Sequence, residues 1–156
     1  MLSGLFEIRL FIHRMLSRRR VGDASRRPLR MVRFEVNGNS ARCEWIARSP
    51  DPWDDDLNPV IGLRHASEQA LKDAIEVRHL LFTLMPDVDL AEFRAYRDLI
   101  NGERELIIAG QVHRYAAGYR QVASIAMRAK LFGLCFVMEN GILCGTVVED
   151  PHEFAA

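Results

Sequence analysis

Hydrophobic and polar residues alternate on both sides of an Asn-Gly pair near the start of the chain. The positions that would share one face are apolar: Val32, Phe34, Val36, Ala41, Cys43 and Trp45. The other face would carry Arg33, Glu35, Ser40, Arg42 and Glu44. Asn-Gly favours a two-residue turn because both central positions need positive φ, whereas a three-residue loop would mix the two faces. We therefore predict a hairpin that turns at Asn37-Gly38, with one wet face and one face covered by helices.

A second hairpin is predicted near the end of the chain. Residues 134–138 and 142–148 are mainly apolar and flank Asn140-Gly141, another turn pair. The expected cross-strand pairs are Val137 with Cys144 and Cys135 with Thr146. Because both faces are largely apolar, we expect this hairpin at the centre of a sheet or under a partner, with Cys135 and Cys144 as buried thiols.

A first helix is predicted from its cap and its apolar stripe. Ser67 is a suitable N-cap, apolar residues recur at helical spacing over residues 70–84, and Pro86 stops the helix after Met85. The short apolar run over residues 60–63 is predicted as a third strand beside the first hairpin.

Two more helices are predicted before the second hairpin. The starting points are Asp87 or Asp89 for one and Glu103 or Gln111 for the other. The helix that starts at Asp87 or Asp89 would end at Asn101-Gly102, where glycine favours the left-handed conformation of a helix C-terminus. The helix that starts at Glu103 or Gln111 would end at Phe132. Residues 105–110 also fit a short strand, and we favour the helix because acidic residues precede them. The predicted fold class is α+β, with an antiparallel sheet from two β-hairpins and a short third strand packed on three α-helices.

The overall charge cancels, but its distribution is uneven. The chain has 21 Lys and Arg residues and 21 Asp and Glu residues. Residues 1–33 contain nine arginines and two acids, so this segment carries +7 and the remainder carries −7. We predict an Arg-rich extension over residues 1–30 outside the fold, a single α+β domain over residues 31–150 and a tail over residues 151–156.

Three interpretations of residues 1–30 are open. The natural protein begins at Met31, or the extension contacts nucleic acid or another polyanion, or it serves targeting or membrane attachment. The arginines that would neutralise phosphates are Arg18, Arg19, Arg20, Arg26, Arg27 and Arg30. No apolar run in the sequence approaches the length of a transmembrane helix.

No sequence motif fixes a reaction. The sequence lacks glycine-rich phosphate loops and closely spaced Cys or His ligand pairs, so no metal or cofactor is predicted. The weak catalytic candidates are His113 with Tyr115 or Tyr119, with His65 and Cys135 as further neighbours. An imidazole titrates near neutral pH, but a lone histidine is more often structural, so we lean against an enzyme.

These patterns favour a small non-enzymatic binding or regulatory protein. It would act through protein contacts or self-association as a homo-oligomer, with the apolar second hairpin as the contact surface. The alternatives are a nucleic-acid-associated protein that uses the Arg-rich arm and a small enzyme centred on His113. Three cysteines cannot all pair, which suggests a reducing compartment, so we expect a cytoplasmic location.

Overall fold

The computed structural model describes residues 7–13, 29–50, 56–115 and 122–147. The helices are α1 (residues 7–13), α2 (Pro59–Leu84) and α3 (Ile125–Leu131). The strands are β1 (Arg30–Asn37), β2 (Ser40–Ile46), β3 (Leu90–Asp98), β4 (Arg104–His113), β5 (Leu134–Cys135), β6 (Val137–Glu139) and β7 (Ile142–Cys144). No helix in these ranges is both long enough and apolar enough to cross a membrane.

Five strands form one mixed sheet in the order β1-β2-β3-β4-β5, and β6 pairs with β7 in a separate two-stranded sheet. The predicted α+β class, with hairpins packed on helices, is confirmed. The sheet is not antiparallel throughout, because β2 and β3 run parallel. A parallel pair needs a crossover, and α2 supplies it between these two strands.

The long helix α2 begins earlier than predicted. The Asn58 side chain caps it by accepting a hydrogen bond from the Val60 amide (3.0 Å), and Pro59 occupies the first helical turn. The predicted strand over residues 60–63 is therefore wrong, and so is the predicted start at Ser67. Ser67 lies buried inside the helix, where its Oγ accepts a hydrogen bond from the Leu143 amide (2.9 Å). The helix ends before Met85 and Pro86, as predicted.

The two helices predicted between residue 87 and residue 132 are largely wrong. Residues 90–98 form β3, whose buried Ala91, Phe93 and Ala95 alternate with half-buried polar residues. Asn101-Gly102 belongs to the turn between β3 and β4, which the Leu99 amide closes by donating to the Glu103 carbonyl (2.8 Å). Residues 105–110 lie within β4, so the strand alternative was correct there. Only α3 remains of the last predicted helix.

The first hairpin has a two-residue turn, but the turn is centred on Gly38-Asn39 and not on Asn37-Gly38. Phe34 consequently lies opposite Cys43. This shift moves each cross-strand partner by two residues, so the predicted division into apolar and polar faces is retained. Val32 is the exception: the register shifts between Met31 and Arg33, and Val32 is 43% exposed.

Ion pairs cover the open face of the sheet. Arg42 of β2 bonds Glu92 of β3 through two guanidinium nitrogens (2.9–3.1 Å), and Arg94 also bonds Glu92 (2.9 Å). Arg33 and Glu35 pair along β1 (2.8 Å). The opposite face is buried under the helices and includes the edge-to-face pair of Trp45 and Phe93, with ring centroids 5.2 Å apart. The predicted wet and covered faces are therefore both present.

Part of the predicted N-terminal extension contacts this core. Phe11 of α1 is 0% exposed, and its ring lies 4.9 Å from the ring of Phe34. Leu29 is also buried in the core. Of the predicted extension over residues 1–30, residues 7–13 and Leu29 contact the core and Arg30 begins β1, whereas residues 1–6 and 14–28 lie outside the described part of the chain.

The second hairpin turns at Asn140-Gly141 and pairs Val137 with Cys144, as predicted. Cys135 instead belongs to β5 and lies opposite Ala109 of β4. The hairpin is covered on one side by α2, since Leu143 is fully buried and bonds Ser67. The predicted tail over residues 151–156 lies outside the described residues.

We expect Gly133→Ala to destabilise the fold by about 3 kcal/mol or more, because a Cβ at Gly133 would lie 2.2 Å from the backbone oxygen of Gln111 and φ there is +96°. Gly38→Ala is a matched control with positive φ (+61°) and open space around its Cβ, and it should cost only about 1 kcal/mol. Urea unfolding curves measure both free energies. Equal losses would contradict the close backbone approach of β4 and the α3–β5 turn.

The three cysteines should react with a maleimide at different rates. Cys43 is buried, and burial raises the pKa of its thiol, so the reactive thiolate is suppressed until the protein unfolds. Cys135 is exposed, so the expected burial of this thiol is wrong, and it should label first; Cys144 is half-buried and should be slower. Mass spectrometry of native protein at pH 7 measures the order, with Cys135→Ser as the control that removes the fast phase. Fast labelling of Cys43 would contradict the packing of β2.

Candidate functional site

A pocket of about 470 Å³ lies at the ends of β2 and β3. Most of its lining comes from three segments: residues 46–50 that end and follow β2, residues 97–100 that end and follow β3, and one face of α2. The α2 residues are Leu63, Ala66, Ser67 and Ala70, and Ile107 and Ile142 complete the lining. The spacing of the α2 residues places them on one side of the helix.

The sheet topology explains why a pocket forms at this position. Parallel strands bring their carboxyl ends to the same edge of a sheet, and Ile46 of β2 pairs with Tyr96 near the end of β3. From there the chain leaves β2 toward α2, while β3 turns back into β4. Connections that diverge beyond the carboxyl ends of parallel strands leave a crevice, which is a common place for ligand sites in α/β sheets.

The interior of the pocket is apolar and its rim is exposed. Ile46, Ala70 and Ile107 are buried and form the inner surface. At the mouth, Leu99 and Leu63 are each more than one-third exposed, and the Ile100 side chain is fully exposed. Large aliphatic side chains held in water next to an apolar cavity are typical of a binding site.

A buried ion pair fixes the wall between β2 and α2. Arg48 Nε lies 3.1 Å from Asp73 Oδ2, with side-chain exposures of 6% and 2%. Gln69 Nε2 donates to the other Asp73 oxygen (2.9 Å). Removing either charge would leave its partner buried, so this pair fixes the position of the segment after β2 relative to the helix.

Arg97 is the polar group best placed to meet a ligand. Its guanidinium donates to the Leu143 carbonyl (2.9 Å) and to Glu105 Oε2 (2.5 Å), and the side chain is 29% exposed. A guanidinium has five N–H donors, so these two bonds leave donors for a third acceptor. Asp98, the acidic residue in the lining, is paired with Arg30 and lies 3.5 Å from Arg104.

The pocket lining can therefore do two things chemically. It can hold an apolar body against aliphatic side chains, and it can donate hydrogen bonds from Arg97 to one acceptor group. In the described residues no three His, Cys, Asp or Glu side chains are placed to hold a metal ion.

The catalytic candidates lie at the other end of the sheet. His113 ends β4 and lies opposite Leu90 of β3. Leu90 and the pocket residue Asp98 are eight residues apart on β3, which is about 26 Å along an extended strand. His113 is exposed, Tyr115 is 84% exposed, and Tyr119 lies outside the described residues.

The structure does not group the other suggested neighbours around His113. On α2, the Arg78 side chain contacts the His113 carbonyl at the end of β4. His65 lies thirteen residues before Arg78, which places it about 20 Å away along the helix. Cys135 pairs with Ala109, four residues before His113 on β4. A catalytic role for His113 stays a prediction.

Most arginines of the proposed polyanion arm cannot be placed. Arg18, Arg19, Arg20, Arg26 and Arg27 lie outside the described residues, and only Arg30 is described. Arg30 starts β1 and forms an ion pair with Asp98 of β3. This pairing ties Arg30 to the sheet beside the candidate pocket.

The end of the sheet near His113 contains a cluster that sequence reasoning missed. The Arg114 guanidinium donates to the carbonyls of Phe82 (2.7 Å), Met85 (2.5 Å) and Val88 (2.6 and 3.0 Å). Arg78 donates to the His113 carbonyl (2.5 Å) and lies over the Phe132 ring, 4.1 Å from its centroid. These contacts cap the carbonyl end of α2, so the role of this cluster is to hold the helix against β4.

The sequence did contain signals for the pocket. Asn58-Pro59 is a cap followed by proline at the first helical position, and Ala91, Phe93 and Ala95 alternate with polar residues. Together they indicate a strand, a helix and a second strand, which is the unit that places two carboxyl ends at one edge.

No protein-family model matches the chain, and neither a curated protein nor a solved structure matches it. The candidate site therefore rests on its own geometry.

Proposed function

We propose that this chain is a non-enzymatic binding protein whose pocket at the ends of β2 and β3 takes a small, mainly apolar molecule with one acceptor group, such as a carboxylate. The observation that carries the proposal is the pocket itself, a cavity of about 470 Å³ with a mainly aliphatic lining beyond the carboxyl ends of two parallel strands. Ligand pockets in proteins usually have volumes of about 300–1,000 Å³ and apolar walls with few polar groups.

The walls support one orientation of the ligand. Its apolar part would lie against Ile46, Ala70 and Ile107, which are already removed from water and need no rearrangement. Its acceptor group would face Arg97, whose contacts with Glu105 and the Leu143 carbonyl fix the direction of the guanidinium. Burial of apolar surface would supply most of the affinity, and Arg97 would supply discrimination between ligands.

The polar groups of the described lining favour binding over catalysis. Arg48 and Arg97 lie in ion pairs with Asp73 and Glu105, and the Ser67 hydroxyl oxygen accepts a bond from the Leu143 amide. These contacts hold the walls in place. Catalysis would require a nucleophile or a base directed at the reacting atoms.

A fluorescent probe with an apolar body and one anionic group tests the pocket directly. We expect 8-anilinonaphthalene-1-sulfonate to bind the native full chain at a single saturable site. Ala66→Phe places a ring in the pocket and should weaken binding about tenfold, which corresponds to a loss of about 1.4 kcal/mol. Ala123→Phe is the matched control, because Ala123 is exposed just before α3 and does not line the pocket, and it should leave affinity unchanged. Equal effects of the two variants, or no saturable binding, would overturn the proposal.

A second comparison tests the role of Arg97. Arg97→Met should weaken binding of the sulfonate probe but leave binding of the uncharged N-phenyl-1-naphthylamine unchanged, because only the first probe has an acceptor for the guanidinium. Lys72→Met removes the same charge at an exposed position of α2 outside the pocket lining and is the control. Loss of both probes with Arg97→Met would show that Arg97 supports the walls and does not contact the ligand.

A further inference from the structure

The outer edge of β1 is open. β1 is the first strand in the sheet order and pairs with β2 on one side, and no other described strand lies against its second side. Every residue of β1 except Met31 and Phe34 is exposed. An eight-residue edge strand presents a row of unpaired N–H and C=O groups, which is a template for another strand.

The register of the first hairpin identifies which backbone groups point outward. Asn37 and Ser40 flank the two-residue turn, so Asn37 bonds to β2. Residues of an antiparallel strand alternate between bonding the partner and pointing away from it. The amides and carbonyls of Phe34 and Val36 are therefore directed to the open edge.

We propose that β1 pairs antiparallel with β1 of a second copy of this chain, with Phe34 opposite Phe34 at the two-fold axis. This register sets Arg33 of each copy opposite Glu35 of the other. Two ion pairs form at once, because the strand is complementary to itself about Phe34.

Charge selects this register over its neighbours. Centring the pair on Glu35 would oppose Glu35 to itself, and centring it on Arg33 would oppose Arg33 to itself, and like charges directly opposite each other are destabilising. Both side chains are about half exposed and already lie 2.8 Å apart within one strand. In the dimer, Arg33 and Glu35 would each replace this contact with an equivalent contact to the other copy across the two-fold axis, so neither charge would lose its partner.

The pairing also covers apolar side chains at the edge. Val32 and Val36 are 43% and 36% exposed in the single chain. The Phe34 ring packs against the Phe11 ring, with centroids 4.9 Å apart, so this side chain keeps its contact with the core when the strand pairs. The contact is one strand wide, which places it among small interfaces, so we expect a monomer–dimer equilibrium that depends on concentration.

Sedimentation velocity over a concentration series of the full chain tests this interface. We expect the natural sequence to dimerise, and Arg33→Glu and Glu35→Arg each to raise the dissociation constant about tenfold, because each puts two like-charge pairs at the axis. An equimolar mixture of the two variants should recover dimers. One copy then carries two acids and the other two arginines, so every cross-strand pair is opposite in charge.

Glu103→Arg is the matched control, since it makes the same charge change at an exposed position in the β3–β4 turn and should leave the dissociation constant unchanged. Far-UV circular dichroism checks that each variant is folded. The proposal is overturned if the natural chain stays monomeric at the highest concentration, or if the mixture of variants fails to form dimers. It is also overturned if Glu103→Arg weakens dimers as much as Glu35→Arg does.

Discussion

The parallel pairing of β2 with β3 is the constraint on which the rest of the structure depends. Successive strands that run parallel need a crossover, and the 26-residue helix α2 supplies it and covers one face of the sheet. The other face of the sheet is open to solvent and carries ion pairs such as Arg42 with Glu92. The same pairing brings the carboxyl ends of β2 and β3 to one edge, where the chain diverges and the pocket opens. The pairing of β2 with β3 therefore determines both the layout of the sheet and the position of the pocket.

A cluster of hydrogen bonds from one guanidinium lies where the C-terminal end of α2 is held in place. Arg114 caps the carbonyl end of the helix with bonds to Phe82, Met85 and Val88, and hydrogen bonds to a charged group are worth about 1.5–3 kcal/mol each. Surface ion pairs such as Arg33 with Glu35 are worth about 0–1 kcal/mol. The Arg114 contacts therefore hold one end of α2, and the buried pair of Arg48 with Asp73 holds the segment after β2 near the pocket.

The fold class, the turn at Asn140-Gly141 and the apolar face of the first hairpin followed from local patterns, because turn chemistry and side-chain parity act over a few residues. The turn of the first hairpin lies one residue later than the predicted Asn37-Gly38. The strand β3 was missed because Leu90, Phe93 and Tyr96 also repeat at helical spacing, and one of its two pairing partners is β2, more than forty residues away. Ser67 is a good cap by composition, yet α2 is capped at Asn58, which Pro59 follows, and the Ser67 hydroxyl bonds the Leu143 amide instead. The pocket could not be predicted as a site, because its walls come from segments that meet only through the parallel pairing.

Ligand binding where β2 and β3 end can be measured residue by residue. Two-dimensional ¹H–¹⁵N NMR of the full chain, titrated with decanoate, makes this measurement, since decanoate has an apolar body and one carboxylate. We expect saturable shifts of the amides of residues 46–49, 66–70 and 97–100, with His113 and Tyr115 unchanged. Shifts confined to the His113 end of the sheet, or no saturable shifts, would contradict it.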